Sequence, residues 1–105
     1  MHANVRRLSI LLALAAGMSG STALAADPDH GAELAKRWCA TCHAVTSEQK
    51  QASADVPAFA SIARRPDFSP EKLAFFLLDP HPKMPSFPLS RTEAGDIAAY
   101  IGALR

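Results

Sequence analysis

The sequence predicts an all-α domain of three to four helices. Two helix starts are written as a capping residue followed by proline, Asp27-Pro28 and Ser69-Pro70; proline's fixed φ suits the first helical position, where its missing N–H costs nothing. A third start, Ser90-Arg91-Thr92-Glu93, is a capping box. No stretch alternates polar and apolar residues with the period of a strand.

In chain order, the first 25 residues read as a secretory leader. MHANVRR carries two arginines, Leu8 to Ala16 is apolar, and Ala23-Leu24-Ala25 fits the small-x-small rule for cleavage. The rival is an uncleaved anchor, since the uncharged run from Leu8 to Ala26 approaches the ~20 residues of a spanning helix. Its second half, GMSGSTALAA, is rich in small and polar residues and favours cleavage. The chain of 105 residues then divides into a leader, 1–25, and one domain, 26–105. Export places that domain in the periplasm or outside the cell, where disulfides are permitted.

The first helix starts at Asp27-Pro28, with Gly31, Leu34, Ala35 and Trp38 on one face. Thr46 to Ala54 is a polar loop, and a short helix fits around Pro57 to Ala63. The second main helix opens at Ser69-Pro70-Glu71, runs through KLAFFLL and must stop before Pro80. The last runs from the capping box to the C-terminus, with Ile97, Ile101 and Leu104 on one face. Between these two lies DPHPKMPSFP, whose four prolines forbid regular structure around Met84.

Nine Lys and Arg stand against ten Asp and Glu in residues 26–105, a formal net charge of −1. No basic stripe points to nucleic acid. A domain of 80 residues is near the size at which a core alone supplies little stability, so a staple or cofactor is expected.

The motif that carries chemistry is Cys39-Ala40-Thr41-Cys42-His43. C-x-x-C-H is the attachment signature of c-type haem. Each thiol forms a thioether to one edge of the porphyrin, and His43 is the proximal iron ligand. The chain has no other cysteine. A zinc site lacks its second ligand pair, and a thioredoxin-type pair lacks the βαβ setting.

With CATCH after a Gly-bearing first helix, a Pro-Ala-Phe segment, a Met-Pro pair about forty residues downstream and AAYI in the closing helix, the domain resembles the small bacterial class I cytochromes c. The resemblance implies the class I cytochrome c fold, wrapped around one covalent haem c, with first and last helices crossing where Gly31 meets Ile97, Tyr100 and Ile101. It implies Met84 as sixth ligand and the Pro57 carbonyl as acceptor for the other ring nitrogen of His43. His81, three residues from Met84, competes for the iron, and a core role for Met84 is the plain alternative. His30 reads as a surface residue, and Arg64-Arg65 as a solvated face or a propionate partner. A cavity between His43 and Met84 is expected. The implied function is single-electron transfer through six-coordinate iron, not enzymatic catalysis, with periplasmic or membrane redox proteins (dehydrogenase, reductase or oxidase) as transient partners. A subunit of an enzyme complex is the nearest rival.

Overall fold

The computed structural model describes residues 25–80 and 82–105. The expected leader lies outside the described residues except for Ala25, and so does His81. Four helices and no strand occur among the described residues: α1 (Pro28–Trp38), α2 (Phe59–Ala63), α3 (Pro70–Leu78) and α4 (Arg91–Gly102). None of them is long and apolar enough to cross a membrane.

Each main helix begins where its local chemistry directs. The Asp27 side chain accepts from the N–H groups of Asp29 and His30, satisfying donors that a helix start leaves without partners. Ser69 caps α3 through the N–H of Lys72. At α4 the capping box closes both ways, with Glu93 N donating to Ser90 Oγ at 3.0 Å and Ser90 N donating to Glu93 Oε1 at 2.9 Å. Helix α3 ends at Leu78, ahead of Pro80. Helix α4 stops at Gly102 and not at the C-terminus, and the N–H of its C-cap Ala103 donates to the carbonyls of the last turn.

The first and last helices cross at Gly31. A Cβ built there would lie 1.9 Å from the Asp96 carbonyl oxygen and 2.9 Å from Ile97 N. Only a residue without a side chain lets two backbones approach so closely. The closest atoms to Gly31 are those of the α4 backbone, at Asp96 and Ile97. Leu34, Ala35, Val45, Phe59, Ala63, Leu77, Ala94, Ile97 and Ile101 are buried around this crossing. Trp38, Leu73, Met84, Tyr100 and Leu104 pack against them.

One polar group sits in that core. Asp96 is 3% exposed. One of its carboxylate oxygens accepts from Asp27 N at 2.8 Å, and the other lies 2.8 Å from His30 Nδ1. His30 is exposed, as the sequence predicts, and its ring is also paired with a buried carboxylate. A buried charge needs such partners to be tolerated, and here they tie the start of α1 to the middle of α4.

Candidate functional site

The C-terminal end of α1 delivers the attachment motif. Cys39 is the C-cap of α1, and its carbonyl accepts from both Cys42 N (3.2 Å) and His43 N (2.9 Å). This tight turn directs the two thiols and the imidazole from one short segment. Cys39 is buried and Cys42 exposed, and neither forms a disulfide. Burial pushes the Cys39 thiol up to about 11. A redox cysteine of the thioredoxin kind needs the opposite shift, toward thiolate at neutral pH.

His43 is fixed at its ring and its backbone. Its Nδ1–H donates to the Pro57 carbonyl at 2.6 Å, leaving Nε2 as the nitrogen available to a ligand. The ring rests against Phe59, centroids 5.2 Å apart, and Phe59 leans on Tyr100 at 6.4 Å. Pro57 precedes α2, so the helix that buries Phe59 also sets the carbonyl facing His43.

The carbonyls after the motif are taken in turn. Ser53 N donates to Cys42 O at 2.9 Å and Phe59 N to Ala44 O at 3.0 Å. Tyr100 OH donates to Val45 O. Burial, and secondarily the charge of Glu48, holds the Tyr100 phenol above its ordinary value, so it stays a donor. Gln49 serves Ala40 O and His43 O through one side-chain amide. Sequence reasoning missed Gln49, because nothing local marks it out within a polar run.

Met84 lies in the proline-rich loop, half-buried and packed on the core. That loop is held against α1 by the Phe87 and Trp38 rings, 5.5 Å apart and tilted by 43°. The contact brings the Met84 loop to the residue that precedes Cys39. Arg64 and Arg65 are exposed at the end of α2. Two clefts flank the attachment loop, one beside Ala40 and Thr41 and the other beside Ala44 and Ala58. The cavity expected between His43 and Met84 is not one of them, since neither residue lines either cleft. No group of three His, Cys, Asp or Glu that could hold a metal ion occurs among the described residues.

This donor set suits a covalent haem: two uncrosslinked thiols on one turn, followed by an imidazole whose far nitrogen is free because the near one is held. Comparison with known proteins agrees. Residues 26–101 match the family model described as cytochrome C oxidase, cbb3-type, subunit III. The chain belongs to this cytochrome c family. Cytochrome c-552 of Bradyrhizobium diazoefficiens is 73% identical over 105 residues, which is 100% of this chain and 99% of that protein. No solved structure gives a significant match. The chain is therefore a c-type cytochrome with covalently bound haem c, and its single C-x-x-C-H motif makes it a monohaem electron carrier.

Proposed function

We infer that the chain is exported, loses residues 1–25, and shuttles single electrons between periplasmic or membrane redox proteins through an iron held by His43 and Met84. Cys39 and Cys42 would be the thioether anchors. The haem supplies one-electron chemistry at its iron when bound. The observation that carries the reading is the 2.6 Å hydrogen bond from His43 Nδ1 to Pro57 O. It orients the ring and raises its basicity, as a second-layer acceptor does for a metal-bound histidine.

Met84 offers a soft thioether from a loop that Pro82 and Pro85 stiffen. Neutral sulfur favours the ferrous state, so His/Met ligation raises the potential. A loop so stiffened would hold the sulfur of Met84 in place when the iron changes its redox state. If His43 and Met84 both hold the iron, no open coordination site would remain for substrate chemistry, which supports a carrier and not an enzyme.

A visible spectrum of the purified protein tests this. A thioether-type haemochrome and a low-spin iron that does not take up carbon monoxide in the native reduced state are expected. Ready binding of carbon monoxide would point to an open sixth position and overturn His43/Met84 ligation. The family model's description names an oxidase subunit, which favours a second reading, a carrier resident in an oxidase complex. Co-purification from solubilised native membranes, against recovery from the periplasmic fraction, separates the two.

A further inference from the structure

The loop of residues 46–57 holds a side chain whose contacts converge on the proximal histidine. Gln49 Nε2 lies 2.8 Å from Ala40 O, 2.7 Å from His43 O and 2.7 Å from Gln51 O, and its Oε1 accepts from Val45 N at 3.0 Å. A carboxamide NH2 has two hydrogens, so three acceptors share them and at least one hydrogen is bifurcated. One half-buried side chain therefore bridges the attachment motif at two carbonyls and the following strand of chain at one N–H. The sequence marks residues 46–54 only as polar, and nothing in the family match assigns Gln49 a role.

We propose that Gln49 is a positioning residue for His43, fixing the imidazole's orientation through its backbone while Pro57 fixes the ring. This rests on the reading of His43 as an axial ligand. The reasoning is geometric. His43 has four polar handles: ring Nδ1, ring Nε2, backbone N–H and backbone C=O. Three are held, by Pro57 O, Cys39 O and Gln49 Nε2 respectively. Pro57 and Gln49 both belong to residues 46–57, so the ring hydrogen bond and the backbone hydrogen bond must fit together. Without the Gln49 donor, the His43 carbonyl is released and the peptide plane can rotate. The ring would then turn about the Pro57 contact.

The discriminating variants are Gln49→Met, which keeps length and loses polarity, and Gln49→Glu. The carboxylate of Gln49→Glu cannot donate, and it places negative oxygen against the Ala40 and His43 carbonyls. Proton NMR of the oxidised holo-protein reads the outcome, because the spread of haem-methyl resonances follows the orientation of the axial ligands. Both variants are expected to change that spread, Gln49→Glu more than Gln49→Met at neutral pH. Once protonated at low pH, the new carboxylic acid regains one donor hydrogen. The Gln49→Glu spectrum should then move back toward the parent and the Gln49→Met spectrum should stay. Tyr100→Phe, which removes a donor from Val45 O only, is the control: a lower melting temperature with the parent spread. If Gln49→Met also melts lower but keeps the parent spread, Gln49 is a loop staple and the proposal fails. If the parent protein gives no thioether haemochrome, the haem reading itself fails, and the two failures are told apart.

Discussion

His30 Nδ1 meets Asp96 Oδ2 at 2.8 Å, across 66 residues of sequence. The hydrogen bond to Asp96, with smaller help from the charges of Asp96, Asp27 and Glu33, raises the His30 pKa against a partial desolvation. A raised histidine stabilises the fold most when it is protonated. The contribution is complete below the ordinary value of 6.5 and is lost as pH rises through the raised one. The melting-temperature gap between the parent and His30→Gln should therefore be widest near pH ~5 and narrow into the alkaline range. A gap that widened with rising pH would contradict the ion pair.

Two glycines, one at the crossing and one inside α4, should respond oppositely to alanine. Gly31→Ala drives a Cβ to 1.9 Å from the Asp96 carbonyl oxygen, a backbone atom that cannot rotate away. We expect a loss of about 3 kcal/mol, at the upper end of overpacking costs, or failure to fold. Gly95→Ala meets nothing within 4 Å and lies inside α4. It should gain up to ~1 kcal/mol from helix propensity alone. Denaturant midpoints of the two holo-proteins check both signs.

Met84→Ala should lower the reduction potential, since the neutral sulfur that favours ferrous iron is gone. The low-spin spectrum should give way to one with water or a substitute such as His81 or Lys83 on the iron. Potentiometric titration with parallel spectra measures both. An unchanged potential would remove Met84 from the ligand set.

Docking at the Met84 loop should be apolar and weakly dependent on salt. The two loops present exposed Thr41 and Pro85 and half-buried Ala40 and Phe87, all uncharged, and steering needs a clustered field of one sign. Phe87 is also stacked on Trp38, a contact worth about 0.5–1.5 kcal/mol. Phe87→Ala should therefore slow electron transfer more than Lys83→Ala does, and lower stability as well. A double-mutant cycle with Trp38→Leu separates the loosened loop from the lost docking contact. A steep fall in stopped-flow rate between ~10 and 300 mM salt would show electrostatic docking instead.

The helix starts were legible because their signals are local: Asp27, Ser69 and Ser90 each find their acceptor role within three residues. The attachment motif was legible for the same reason, as five consecutive residues. Asp96 was not. It is a charged residue on α4 beside Ile97, and periodicity counts apolar residues; its partners, Asp27 and His30, lie at the other end of the domain. Gln49 was equally silent, since Gln51 two residues on looks the same in sequence and only the fold selects between them. Tyr100 could be placed on the crossing face by resemblance, yet its hydroxyl goes to Val45 O, a destination fixed by how α4 lies over the attachment loop.

The crossing of Gly31 with Asp96 and Ile97 has a consequence for how the chain is made. Helix α1 emerges from the ribosome first and α4 last, and each is the other's main apolar partner. Until residues near Asp96 are free, Leu34 and Ala35 have nothing to bury against, and Asp27 and His30 have no carboxylate to bind. Loop closure across nearly the whole domain must come before the reward. A nascent chain that lacks α4 therefore stays open, with Cys39 within reach of solvent. The domain acquires its compact form only when its last helix is complete.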